Sequence, residues 1–438
     1  MTVRQIALML LDEYELGGKY INLSLNSHLA DKLSDEERGF LTVLLYTTVE
    51  HKLTYDYYIG AISGRSVKEM DIHTLNILRL GFCQLIHIDS IPDFAAVNES
   101  VLLARHKGER SFVNGVLRTA SRLHSEDKLP LPDREKNFAR YLGVVYSYPL
   151  ALVKRFISLF GEGGTEALLS AYNSLSYTDI AVNTTLISRE NYLELLAQKG
   201  IKARASERSL ISVRLDGSYN PKSLPGFEDG LFFVQDEICT VSAEVLEAKS
   251  GQRIIDVCAC PGGKSFAAAI FTQGEGEILS FDLHRSKLSL IESGSERLRL
   301  NNIKVAPRDA TDPDPALFGT ADRVICDVPC SGLGVLGKKA DVRYKELSLI
   351  EELPALQYSI LSASANYLKA GGILVYSTCT LTPEENRGVV DKFLSERSDF
   401  ESCEFALADI LSEDGCFTAL PNKTNTDGFF IAKLRRKI

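Results

Sequence analysis

Two cysteines stand where a thiol could do chemistry. One is Cys330, in Asp327-Val328-Pro329-Cys330-Ser331-Gly332, and the other is Cys379, in Tyr376-Ser377-Thr378-Cys379-Thr380-Leu381-Thr382-Pro383-Glu384-Glu385-Asn386. Each follows an apolar run of strand type, so each lies on the turn after a strand, where open α/β sheets meet their ligands. Proline, serine and glycine around Cys330 hold it exposed and rigid, whereas Cys326 reads as strand core. Thr380 or Thr382 can cap a helix beginning at Pro383, whose dipole would help to lower the Cys379 thiol pKa. A thiolate so placed is a nucleophile; the alternative is a pair of ordinary buried cysteines.

A third motif is Asp256-Val257-Cys258-Ala259-Cys260-Pro261-Gly262-Gly263-Lys264-Ser265, after a strand and opening a helix. Gly262 and Gly263 let backbone approach a ligand, and the helix N-terminus offers free N–H groups to a carboxylate or phosphate. A plain glycine turn is the bland alternative. The sharper rival is a P-loop, since Gly263-Lys264-Ser265 matches the end of that motif, but Cys258 stands where its first glycine belongs and Pro261 removes an N–H the phosphates need. Asp282 ends the next strand, where such sheets hydrogen-bond ribose hydroxyls, and Asp309 after the third strand is placed to accept from an adenine amino group. Either aspartate alone reads as a loop or cap residue; their order after consecutive strands points to a nucleoside-bearing cofactor.

These motifs need a sheet to hold them. From about Val234, strands are expected at Arg253–Val257, Glu277–Asp282, Ile303–Ala306, Asp322–Cys326 and Gly372–Ser377, with helices at Ser265–Phe271 and Lys287–Leu298. Repeated βα units predict a doubly wound, mainly parallel sheet. Residues Val3 to about Leu123 read as helical throughout: Val3, Ile6, Leu10 and Leu11 share a face, Ser34 to Glu37 forms a capping box, Asp71 caps a third helix, Asn98 lies near the start of a fourth and Ser111 starts a fifth. The stretch His124 to Pro132, with two prolines, reads as a linker. Beyond it come helices around Leu150–Phe160 and Thr165–Tyr172, then alternation near Ile180–Asn183 and Leu210–Leu215.

At 438 residues the chain implies two to three domains. Nine scattered cysteines predict reduced thiols, and their spacings, with seven histidines, argue against a metal. No apolar run reaches the roughly 18 residues of a membrane span and no signal peptide is expected, so the expected address is the cytoplasm. A net charge of −9 disfavours nucleic acid on average but leaves room for a local basic face.

Together these motifs resemble those of the NOL1/NOP2/Sun family of RNA cytosine-5 methyltransferases, whose usual forms are C-A-A-P-G-G-K-T, D-x-P-C-S-G, S-T-C-T and P-x-E-N. Cys260 replaces the second alanine and Ser265 the threonine. Ala95 to Ser100 and Ser111 to Arg118 are similar to a helical NusB-like domain found in front of the bacterial subfamily that acts on 16S ribosomal RNA, and Val234 to Glu237 and Asp427 to Phe430 extend the likeness. The chain departs from the subfamily in lacking tryptophan and in having Ala181 and Ala340 at usual arginine and proline positions, which bears on the middle region's RNA contacts.

The resemblance implies an all-α NusB-like RNA-binding domain at 1–125, a small α/β connecting domain at 140–233 and a Rossmann-like methyltransferase domain at 234–438. It implies S-adenosyl-L-methionine held by Cys258, Ala259, Cys260, Pro261, Gly262, Gly263, Lys264, Asp282, Asp309 and Asp327. It assigns attack on C6 of the base to Cys379 and release to Cys330, with Asp327 also reaching the base edge as a carboxyl kept partly protonated by burial. The subfamily implies cytosine 967 of 16S ribosomal RNA, with a 5-methylcytosine at another rRNA or tRNA position as alternative, and a monomer without metal or membrane. Arg105, Lys107, Arg110, Arg118 and Arg122 would dock RNA, unless they form a merely solvated helix face. Competing classes are an NTPase and a non-catalytic RNA-binding or antitermination factor; retention of Cys330, Cys379 and the aspartates argues against the latter.

Overall fold

Apolar residues repeating every three or four positions wind the first part of the chain into helices. The computed structural model describes residues 1–17, 33–345 and 347–438, and contacts divide it into two units, Met1–Asn173 with Lys339–Lys345, and Ser174–Lys338 with Glu346–Ile438.

The first unit holds α1 (Val3–Gly17), α2 (Asp35–Glu50), α3 (Lys52–Ser63), α4 (Ile72–His87), α5 (Asp93–Leu102), α6 (Lys107–Ser125), α7 (Phe138–Val145) and α8 (Leu150–Ser174), with a break in α8 at Gly161. Ile6, Leu10 and Leu11 are buried in its core with Leu44, Leu78 and Leu117. The capping box at Ser34 forms as expected, with Glu37 N donating to Ser34 Oγ at 3.2 Å and Ser34 N to Glu37 Oε2 at 3.0 Å. Asp71 caps α4 by accepting from Thr74 N at 3.2 Å. Two helix starts differ from expectation. Asn98 lies in the interior of α5, which begins after Pro92, and α6 begins at Lys107 with the His106 ring as its cap, so Ser111 is inside it. Among the described residues no strand precedes Tyr177.

In the second unit β1 (Tyr177–Val182), β2 (Ala203–Ala205), β3 (Ser212–Asp216) and β4 (Phe232–Val234) form an antiparallel sheet ordered β2-β3-β1-β4. Ile180, Val182, Val213, Leu215 and Phe232 bury one face of it against Tyr192 and Leu196 of α9 (Arg189–Gln198).

The large sheet holds β5 (Arg253–Asp256), β6 (Glu277–Asp282), β7 (Ile303–Pro307), β8 (Ala321–Asp327) and β9 (Leu368–Thr378). It is flanked by α10 (Glu237–Val245), α11 (Gly263–Phe271), α12 (Leu288–Arg297), α13 (Leu349–Ser364) and α14 (Arg387–Glu396). These five strands are parallel in the order β7-β6-β5-β8-β9, so the order reverses beside β5, where doubly wound sheets open their ligand crevice. Beyond β9 the sheet turns antiparallel: β10 (Phe400–Ser402) and β13 (Cys416–Ala419) both pair with β14 (Phe429–Arg436), which pairs with β9, while β11 (Ala406–Leu407) and β12 (Ile410–Leu411) form a separate hairpin.

Candidate active site

Strands β8 and β9 are neighbours, with Asp327 in register beside Ser377, so the turns that leave them start side by side. That adjacency brings Cys330 and Cys379 together: their Sγ atoms lie 3.1 Å apart, a thiol–thiol hydrogen bond far longer than the about 2.05 Å of a disulfide. Both are half-buried, which for Cys330 is more enclosed than its turn sequence predicts. The hydrogen bond with Cys379, together with burial, pushes the Cys330 thiol well above its ordinary pKa.

The helix expected at Pro383 does not start there. Residues 383–386 form a turn and α14 begins at Arg387, with its N-cap residue Asn386 hydrogen-bonded to Thr378 and Thr380 on either side of Cys379. The threonines that would have capped a helix bind Glu385 instead. Glu385 Oε1 accepts from Thr382 Oγ1 at 2.7 Å and Ser331 Oγ at 2.6 Å, and Oε2 accepts from Ser331 N at 2.8 Å and from Gln357 Nε2 on α13 at 2.9 Å. Tyr376 OH donates to Glu385 O at 2.6 Å, and Asn386 Nδ2 to Thr380 O at 3.0 Å.

Three backbones meet below Cys379. Gly334 N donates to Cys379 O at 2.9 Å and Gly428 N to Gly334 O at 2.7 Å. Close by, Lys338 Nζ lies 2.5 Å from Asp236 Oδ2 and 3.3 Å from Asp427 Oδ2, and burial pushes the Asp427 carboxyl well above its ordinary range.

The glycine loop leaves β5 beside these turns. Lys264 Nζ sits 2.6 Å from Asp327 Oδ2, and Ser377 Oγ donates to Asp327 Oδ1 at 2.6 Å. Burial opposes the lysine's charge, but Asp327 more than offsets it and holds the Lys264 pKa above its ordinary value. Both Asp327 oxygens thus have a partner, and burial also pushes the neighbouring Asp256 carboxyl up to about 7. Asp256 Oδ2 accepts from Ser265 Oγ at 2.7 Å, while Oδ1 is buried without a partner.

Inside the loop the N–H groups turn inward: Ala259 N donates to Phe281 O, Gly262 N to Ala259 O, and Cys260 N to Asp282 Oδ2, at 2.7, 2.7 and 3.2 Å. Pro261 has no N–H. The loop is therefore no phosphate nest, and its lysine is engaged by Asp327, which removes the two features a P-loop needs. Gly262 holds φ of +116° and a Cβ there would lie 2.4 Å from the Phe266 ring, so only glycine fits. Past it, the first-turn amides of Gly263, Lys264 and Ser265 have no intrahelical acceptors and can receive a carboxylate.

Asp282 also accepts from His284 N at 3.0 Å, and Asp309 is exposed, accepting from Thr311 N at 2.9 Å. First-turn amides, two aspartates after consecutive strands and an orphaned buried carboxyl oxygen fit an amino acid joined to a nucleoside. Of the residues singled out from sequence, Cys330, Cys379, Asp327 and Lys264 come together; Cys258, Ala259, Cys260, Pro261, Gly262 and Gly263 line the adjoining turn, and Asp282 and Asp309 follow along the sheet edge. Glu385 was visible only as part of a Pro-x-Glu-Asn run, and Gln357 carried no signal at all. Among the described residues no group of three or more His, Cys, Asp or Glu could hold a metal ion, and no single helix is long and apolar enough to cross a membrane.

Comparison with known proteins finds the same parts. Residues 243–435 match the family model described as 16S rRNA methyltransferase RsmB/F, residues 1–122 that of the NusB family, and residues 148–221 that of the Methyltr_RsmF/B-like, ferredoxin-like domain. The chain is 34% identical to the probable ribosomal RNA small subunit methyltransferase B of Bacillus subtilis, over 100% of this chain and 99% of that protein. It is 30% identical to ribosomal RNA small subunit methyltransferase B of Escherichia coli O1:K1, over 93% of each. The crystal structure of PH0851 superposes with a TM-score of 0.79 over 99% of this chain and 98% of that one, at 24% identity. That of NSun6 from Pyrococcus horikoshii with SFG gives 0.60 over 67% of this chain and 99% of that one, at 25% identity.

Proposed function

Because the chain belongs to the ribosomal RNA small subunit methyltransferase B family, we propose that it is a methyltransferase that places a methyl group on carbon 5 of a cytosine in 16S ribosomal RNA, cytosine 967 being the family's position. The observation that carries the chemistry is the 3.1 Å approach of Cys330 and Cys379 beside the Lys264–Asp327 pair.

Carbon 5 of cytosine is a weak nucleophile. Cys379, as thiolate, adds to C6; the sulfur–carbon bond forms and the C5–C6 π pair moves to C5. Lys264 and Asp327 face the base edge with an ammonium and an acceptor held in fixed geometry. The amides of Gly263 and Lys264, the carboxylates of Asp282 and Asp309, and the turn Cys258–Gly262 would hold S-adenosyl-L-methionine, which supplies the electrophilic methyl group when bound. Once C5 is methylated, a base takes its remaining proton, the C5–C6 double bond re-forms and the Cys379 thiolate leaves. Cys330, kept as a thiol, donates a hydrogen bond to that departing sulfur and so eases release. A base inside a stack is out of reach, so the target is unpaired or flipped.

The first unit offers the RNA two basic patches, one of them part of the expected face. Arg105 is held by Asp71 and Glu109, and Arg122 by Glu126. A groove of about 510 Å³ carries Arg65, Lys68 and Arg140 in a largely apolar lining; Asp56, the acid that borders it, is already bound by Arg79 at 2.7 and 2.8 Å. The groove and Lys107, Arg110 and Arg118 are our candidates for phosphate contact. We read residues 1–125 as the docking part, 140–233 as a connector and 234–438 as the catalyst, acting as a monomer in the cytoplasm.

Purified protein with methyl-labelled S-adenosylmethionine and unmodified 16S rRNA tests the reading. Wild type should yield labelled 5-methylcytosine, Cys379→Ala none, and Cys330→Ala a denaturant-resistant protein–RNA adduct. Cofactor binding without label on any RNA would overturn the substrate, and label retained in Cys379→Ala would overturn the nucleophile.

A further inference from the structure

Glu385 is fully buried, and no ion pair to it is found among the described residues. Burying a carboxylate without a cation is costly unless hydrogen bonds replace its hydration, so the donors around it are informative. All of them are neutral and come from three separate elements. Ser331, which follows Cys330 directly, gives both its N–H and its hydroxyl; Thr382, three residues past Cys379, gives its hydroxyl; and Gln357 on α13 gives its amide. Thr380, which follows Cys379 directly, adds a longer contact at 3.4 Å and is bridged to Ser331 Oγ at 2.8 Å. Gln357 Nε2 also reaches Pro329 O at 2.9 Å, on the other side of Cys330.

A carboxylate accepts only, so its four lone-pair directions can bind donors from both cysteine turns at once. An amide of the same shape would turn an N–H₂ toward Ser331 N or the hydroxyl cluster and break the clasp. We propose that Glu385 is the positioning residue of the cysteine pair: its buried carboxylate clasps the turn after β8 to the turn after β9 and thereby sets the separation of Cys330 from Cys379. Glu385 touches no reacting atom; it acts through Ser331 and the threonines. The inference rests on the two-cysteine reading for its catalytic meaning, but the spacing itself can be read without RNA or cofactor.

The test uses the full-length protein with Glu385→Gln and Glu385→Asp. Mild oxidation by diamide converts two neighbouring thiols to a disulfide while the diazene takes up both hydrogens, so the rate of Cys330–Cys379 cross-linking, read by peptide mass spectrometry, is a ruler for their separation. Glu385→Gln should slow that cross-link at least tenfold, lower kcat for methyl transfer similarly with KM for S-adenosylmethionine unchanged, and leave trapped RNA adduct where wild type shows none. Glu385→Asp, which keeps the carboxylate, should recover part of each. A folded Glu385→Gln that cross-links and releases RNA at wild-type rates would overturn the proposal. Should Glu385→Gln not fold, Ser331→Ala removes one hydroxyl donor while keeping the carboxylate, and must slow the cross-link; an unchanged rate overturns the proposal there too. Cross-linking that follows the prediction in a wild type unable to methylate any RNA would sustain the clasp and sink the substrate reading.

Discussion

Asp256 ends β5 with one carboxyl oxygen hydrogen-bonded to Ser265 and the other unpartnered, and burial raises its pKa from 3.8 to about 7. Between those values the folded protein binds a proton that the unfolded chain has released, so stability falls as pH rises. The contribution is full below about pH 4 and is lost by about pH 7, on the order of 4 kcal/mol in all. Asp256→Asn keeps a neutral side chain there and should flatten the fall in urea-unfolding free energy between pH 5 and pH 8. Equal slopes in both proteins would show that Asp256 ionises normally. At this scale the types were legible in the sequence, since Cys330, Cys379, Lys264 and Asp327 each stand in a short, unusual run. Their electrostatic states were not. Which carboxyl meets a cation depends on who lies within 3 Å, and Lys264 approaches Asp327 from 63 residues away.

The turns after β8 and β9 are held by backbone as much as by side chains. A Cβ on Gly334 would lie 1.9 Å from Gly428 O and 2.8 Å from Cys379 O, so Gly334→Ala must push apart the segments that carry Cys330 and Cys379. Such overpacking costs about 1–3 kcal/mol; methyl transfer should drop at least tenfold, and unchanged kcat would mean that the turns move freely. Ser34→Ala is a useful contrast. It removes the α2 capping box and should cost about 1 kcal/mol in thermal unfolding of the first unit while leaving methyl transfer by the folded enzyme unaltered. Strand positions were readable because runs such as Val324-Ile325-Cys326 are apolar and bounded by turn residues. Helix starts were less so, since several side chains compete for the cap. His106 caps α6 five residues before Ser111, and Thr380 and Thr382 turn to Glu385 instead of opening a helix.

For the whole molecule, a net charge of −9 makes RNA binding depend on where the cations are free. Each phosphate contact on a single strand contributes about 0.7 to the dependence of log K on log salt, so replacing Arg65, Lys68 and Arg140 with glutamine should lower that slope by about 2. Binding of S-adenosylmethionine should be untouched, and an unchanged slope would move the RNA elsewhere. The helical first part, the βα alternation and the four motifs are all legible along the chain, because periodicity and local turn chemistry are properties of neighbouring residues. Strand order and packing alone bring β8 beside β9, Cys330 to Cys379, Glu385 between their turns and Arg105 to Asp71. The physical reason is one of range: strand order and ion pairing join residues tens of positions apart, and spacing along the chain does not record which of them packing will bring within a hydrogen bond's length.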